Sequence, residues 1–121
     1  MEEERRREMG DSIEIPRVDD ENYPSYLAVP AAVVVFGIAS CVPCNEFDPI
    51  LKQAAEKYGG SVKFGKAQMH VPGACREIKK QYSFETFPTS HFYKNGVLVH
   101  TADEKLEYDE LIRRIDQYLL V

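Results

Sequence analysis

Residues 31–38 read AAVVVFGI, an unbroken apolar run of the length expected for a strand covered on both faces. Close behind it stands Cys41-Val42-Pro43-Cys44. Then Phe47, Ile50, Leu51, Ala54, Ala55 and Tyr58 follow at i, i+3, i+4, i+7, i+8 and i+11. That spacing lays one apolar stripe along a helix. A buried strand leading into an amphipathic helix calls for a layered α/β fold, with both cysteines at the junction. Cys41 should meet the free amide hydrogens of the first helical turn, whose dipoles favour a thiolate, the reactive form. Strand, CxxC, helix is a redox arrangement.

The remaining pattern supplies the rest of the layers. Asp11 to Ile15 is expected as a short edge strand closed by Pro16. Asp19-Asp20-Glu21 offers N-cap chemistry for a brief helix around Pro24 to Ala28. The long helix runs from about Cys41 to Tyr58 and ends at Gly59-Gly60. Ser61 to Ala67 alternates as a strand with Val62, Phe64 and Lys66 on one face. Pro72-Gly73 marks a turn before a short helix from about Ala74 to Tyr82, with Ile78 inward. Pro88 to Val99 reads as a hairpin around Asn95-Gly96. Tyr108, Leu111, Ile112, Ile115 and Leu119 form a last helical stripe. The order β-α-β-α-β-α-β-β-α implies a mixed sheet of about five strands with helices on both faces.

Composition narrows the function. The 121 residues suit one domain at 11–121, preceded by a charged, flexible tail at 1–10. Fifteen basic against 20 acidic residues give a net charge of −5, which argues against a nucleic-acid partner. No apolar run approaches the ~18 residues of a membrane span, and the start, MEEERRRE, does not read as a secretory signal. Three cysteines, two of them in one CxxC, do not make a secreted disulfide framework, so a cytoplasmic setting is expected.

Several signals together make the chain resemble the thioredoxin family from about Val18 to Leu120. Cys41-Val42-Pro43-Cys44 resembles the active-site quartet and keeps the proline before the second cysteine. Pro49 falls five residues after Cys44, where the family carries a helix-kinking proline. Phe87-Pro88-Thr89 resembles the family's cis-proline loop, and Lys94-Asn95-Gly96 its terminal hairpin turn. The resemblance implies a thioredoxin fold, protein-disulfide reduction and a part in cell redox homeostasis. It also implies a client groove at Ser40, Val42, Phe87, Pro88 and Glu104. Departures are specific. Ser40 replaces the usual tryptophan, Val42 a glycine and Asn45 a common lysine. Val35 stands where a buried aspartate handles the second cysteine's proton, and Glu104 falls near a groove glycine.

Cys41 is the expected nucleophile. Exchange passes through a mixed disulfide, and Cys44, one helical turn on, faces Cys41 and is the resolving thiol. Pro43 restricts the dithiol loop at a position where a missing amide hydrogen is harmless. Pro88 is expected cis and against the dithiol, by resemblance. Lys66 is an odd ammonium on an apolar face. The family places a lysine there beside its aspartate, so with Val35 present Lys66 is expected to lack its counter-charge and either reach solvent or support a thiolate. Cys75 reads as a spare semi-buried thiol, His91 as a hydrogen-bonded core residue, and His70 and His100 as surface or loop residues.

The leading reading is an enzyme needing no cofactor or metal. It reduces disulfide-containing client proteins and is recharged by an external reductase or thiol. The alternative is a thioredoxin-like adaptor whose redox activity is secondary or lost. A zinc site from Cys41, Cys44, Cys75 and a histidine lacks the second paired motif that tetrahedral zinc usually has.

Overall fold

Strand β2 (Ala31–Gly37) is buried along its whole length, because both of its faces are roofed. Ala31, Val33 and Val35 enter one core and Ala32, Val34 and Phe36 the other. The computed structural model describes residues 14–120; the leader expected at 1–10 lies outside the described residues. Around β2 stand β1 (Arg17–Val18), α1 (Pro24–Leu27), α2 (Val42–Tyr58), a 3-10 turn (Gly59–Ser61) and β3 (Lys63–Gln68). After these come α3 (Arg76–Gln81), β4 (Thr89–Lys94), β5 (Val97–Ala102) and α4 (Tyr108–Tyr118). The sheet order is β1-β3-β2-β4-β5. Its β1, β3 and β2 run parallel, while β4 pairs antiparallel with β2 and with β5.

Helices α2 and α4 cover one face through Phe47, Leu51, Ala54, Leu111 and Ile115. On the other face α1 and α3 contribute Tyr26 and Ile78. The expected stripes are therefore the buried ones. At the end of α2, Gly59 takes φ +56°, a conformation that closes helices and suits glycine.

Two local expectations are corrected. The edge strand follows Pro16 instead of preceding it, at Arg17–Val18; residues 11–13 of the expected strand lie outside the described residues. Proline has no amide hydrogen, but the Pro16 carbonyl accepts from Lys66 N at 2.9 Å, so it opens the ladder with β3. Likewise Asp20 does not cap α1. Its carboxylate accepts from the amides of Glu77 and Ile78 at 3.0 and 3.1 Å and caps α3 instead. Asp19 and Asn22 exchange side-chain to backbone hydrogen bonds of 2.9 Å, and these shape the entry to α1.

Gly65 sits where β3 runs beside β1 and beneath α1. A Cβ there would overlap Val18 Cγ2 and lie 2.6 Å from Tyr26 Cε2, so only glycine lets these layers meet.

Candidate active site

Cys41 and Cys44 are joined as a disulfide at the mouth of α2, with Cα atoms 5.2 Å apart. Cys41 is the N-cap, with extended backbone at φ −91°, ψ 111°. Its sulfur accepts the Cys44 amide hydrogen at 3.1 Å. That hydrogen is one of those a helix leaves free at its start, so charge on Cys41 is met by a donor already in place. Pro43 lies in the first turn as expected. Further along, Pro49 is inside α2.

The Phe87–Pro88 bond is cis, and the Phe87 carbonyl oxygen lies 3.6 Å from Cys41 Sγ. A disulfide sulfur has no proton to give, so this is a contact in the oxidised state; the reduced thiol can donate there. The loop is tied down on both sides. Thr89 Oγ1 donates to the Thr86 carbonyl at 2.8 Å, and Thr86 Oγ1 to the Asp103 carbonyl at 3.1 Å. Lys105 reaches Glu46 of α2 at 3.4 Å and Glu107 at 3.3 Å. These links fix the residues on either side of Glu104, Asp103 to the loop and Lys105 to α2. Ser40, Val42 and Glu104 are exposed, Phe87 is half-buried and Pro88 is buried. Val42, at 64% exposure, is a bare apolar surface next to Cys41.

Cys44 stands over Gly37: a Cβ on Gly37 would lie 3.0 Å from Cys44 Sγ. The next row of the sheet on that face is Lys66, Val35 and Ser90, set side by side by the strand registers. Lys66 Nζ is 2.9 Å from Asp48 Oδ1, and Lys52 is 3.3 Å from Asp48 Oδ2. The expectation that Lys66 lacks a counter-charge is thereby corrected. The carboxylate comes from α2, one turn beyond Cys44, and not from β2. Burial works to raise the Asp48 carboxyl, but the hydrogen bonds and charges of Lys66 and Lys52 outweigh it and hold it below its ordinary value. Asp48 was legible only as a residue four places after Cys44 and four before Lys52. Cys44, Gly37, Val35, Lys66, Gln68 and His70 line a cleft of about 290 Å³.

The histidines divide. His91 is buried on the opposite face, where Nδ1 is 2.8 Å from Tyr93 OH and the ring packs on Phe36 and Tyr82. Burial lowers its pKa to about 4. It is therefore no neighbour of Cys44. His70 is exposed and accepts from Ala39 N at 3.3 Å. His100 is not a loop residue: it lies on β5, half-buried, with its ring stacked on Tyr118 at 4.1 Å. An edge strand with one covered face places it there. Cys75 is fully buried in the core opposite the disulfide, with Sγ 3.8 Å from the Val18 carbonyl oxygen. The sheet separates it from the other two cysteines.

The family model for thioredoxin matches residues 14–117. The chain belongs to the thioredoxin family. It is 31% identical over 101 residues to a thioredoxin of Chlamydia caviae, covering 84% of this chain and 95% of that one. It is 26% identical over 108 residues to thioredoxin C-2 of Corynebacterium nephridii, covering 88% and 97%. The crystal structure of thioredoxin f2 from Chlamydomonas reinhardtii superposes with a TM-score of 0.73 at 25% identity, covering 85% of this chain and 94% of that chain. A mutant thioredoxin from Halobacterium salinarum shares the fold, with a TM-score of 0.74 at 16% identity over 87% and 89%. With the dithiol pair in place, this thioredoxin-family protein is a thiol–disulfide oxidoreductase.

Proposed function

We propose that Cys41 is the attacking sulfur and Cys44 the resolving one in the reduction of protein disulfides. The observation that carries this reading is the Cys44 amide hydrogen aimed at Cys41 Sγ at 3.1 Å, at the start of a 17-residue helix. A thiolate formed on Cys41 is stabilised in place, whereas Cys44 lies one turn inside over Gly37. The Cys41 thiolate attacks a client disulfide, one client sulfur leaves, and Cys44 then displaces the second while the protein disulfide forms. An external reductase or thiol returns the two electrons.

Pro43 restricts the dithiol loop, and Pro88 holds the Phe87 carbonyl against the reacting sulfur. Lys66, paired with Asp48, sets the charge at the edge of the cleft beside Cys44. Ser40, Val42, Phe87, Pro88 and Glu104 form the client groove, in which Val42 offers apolar contact. Residues 11–121 act as one domain, behind a charged tail, in the cytoplasm. No described helix is long and apolar enough to cross a membrane.

Cys44→Ser tests the assignment, because it keeps attack and removes resolution. The variant should accumulate mixed disulfides with client proteins through Cys41, and Cys41→Ser should accumulate none. Capture by Cys41→Ser instead would exchange the two roles. Capture by neither would favour an adaptor with little redox activity.

A further inference from the structure

We propose that the Ser90 hydroxyl is the hydrogen-bond donor that receives the Cys44 sulfur when the disulfide opens, and so promotes the resolving step. Ser90 is fully buried, and its Oγ is the one buried side-chain polar atom among the described residues with no protein partner. Native structures rarely leave a hydroxyl in that condition. On β4 it stands opposite Val35 and shares a face with Phe92, which belongs to the core under α2. Gly37, two residues along from Val35 and on the same face, lies directly beneath Cys44 Sγ. Ser90 is thus a diagonal neighbour of the position over which the resolving sulfur stands.

The other groups around this sulfur cannot donate, are paired, or belong to the open lining of the cleft, where Arg17 and His70 are exposed and Gln68 is half-buried. Val35 has no polar atom. Lys66, on the far flank of Val35, is paired with Asp48, which also holds Lys52; Lys52 in turn reaches Glu14. Arg17 and His70 line the cleft from β1 and from the segment after β3, and His70 already accepts the Ala39 amide. On β4 itself, His91 points to the opposite core and is bonded to Tyr93.

The inference rests on Cys44 being the resolving thiol. In the mixed disulfide the Cys44 thiol releases its proton to water in the cleft. The resulting thiolate attacks Cys41 Sγ, the bond between Cys41 and the client sulfur breaks, and its electron pair leaves on the client sulfur, which takes up a proton. The dithiol is oxidised by two electrons and the client disulfide is reduced. Ser90 keeps its proton throughout. A hydrogen bond to the charged form lowers the pKa of Cys44, so the thiolate is more populated at neutral pH. In the closed disulfide neither sulfur is charged and the hydroxyl has nothing to gain, which accounts for its unpartnered state.

The test uses the full chain carrying an aromatic thiol dye as a mixed disulfide on Cys41, with dye release followed from pH 5 to 10. In Ser90→Ala the midpoint of the release profile should rise by about one pH unit, so release near neutrality slows about tenfold. The initial attack of Cys41 on the dye disulfide should keep its rate, and the oxidised variant should melt no lower than the parent. Ser90→Thr, which restores a hydroxyl, should return the midpoint toward the parent. Superimposable profiles for Ser90→Ala and the parent would overturn the proposal and assign Ser90 a structural role only. Failure of the parent to form a Cys41 adduct, or equal adduct formation at Cys44, would instead overturn the roles beneath it. Should Ser90→Ala not fold, the alkylation pH profile of Cys44 in Cys41→Ser is compared between Ser90→Thr and the near-isosteric Ser90→Val, which lacks the hydroxyl: the Val variant should alkylate with the higher midpoint, and identical profiles overturn the proposal.

Discussion

Lys66 Nζ stands 2.9 Å from Asp48 Oδ1, linking a strand beside Cys44 to the helix that carries it. The pair moves to α2 the negative charge that the family resemblance places on β2, and it leaves Val35 free to be apolar.

Asp48→Asn should lower stability by about 1 kcal/mol at neutral pH, the scale of a part-exposed ion pair in good geometry. The Asp48 carboxyl is held below its ordinary value, so its contribution is present above the unfolded-state pKa and is lost as pH falls through the folded one. The gap between parent and variant should therefore begin to narrow below about pH 4. Urea unfolding at pH 7 and at pH 3 measures it. A gap as wide at pH 3 as at pH 7 would remove the charge explanation.

Gly65→Ala should destabilise the protein by about 1–3 kcal/mol, because the new methyl group collides with Val18 and the Tyr26 ring. Gly60→Ala is the matched control, since a Cβ at Gly60 meets nothing within 4 Å. The control should be neutral or slightly stabilising. Thermal melts of both variants decide the matter, and equal melting points would sink the packing account of Gly65.

His91 should make the protein sensitive to mild acid. Burial lowers its folded pKa to about 4, so between that value and the unfolded-state value near 6.5 the unfolded chain binds more protons. Stability is then intact above about pH 6.5 and declines as pH falls toward 4, by on the order of 3 kcal/mol. His91→Phe should flatten that slope. It removes one bond to Tyr93, whose hydroxyl keeps Tyr23 OH at 2.7 Å. A variant with an unchanged slope in urea titrations from pH 4 to 7 would place the acid sensitivity elsewhere.

Local pattern was enough to read α2 and α4 from their apolar stripes, β2 from its unbroken apolar run, and the hairpin from Asn95-Gly96. The dithiol was legible for a different reason, as a short motif with its own chemistry, and the cis state of Pro88 only through the family resemblance, since few X–Pro bonds are cis. What could not be read was pairing across distance. Asp20 looks like a local cap and serves a helix 57 residues on. Asp48 looks like an ordinary exposed-face acid and meets Lys66 only because β3 passes beneath α2. Ser90 reads as one polar residue in a strand, and its isolation exists only once β2 and β5 close around it. The tyrosine cluster of Tyr23, Tyr82 and Tyr93, joined by hydroxyl contacts of 3.3 and 2.7 Å, is invisible for the same reason.

The position of Cys75 governs how cleanly the redox centre can cycle. Its thiol is raised above the ordinary range by burial and by the nearby Asp20 charge, so it stays protonated and unreactive. It is also walled off from Cys41 and Cys44 by the thickness of the central sheet. A third thiol in reach of the active disulfide would let electrons be diverted into a scrambled bridge. Here the sheet acts as a partition between one working pair and one idle sulfur, and every turnover starts and ends with the same two partners.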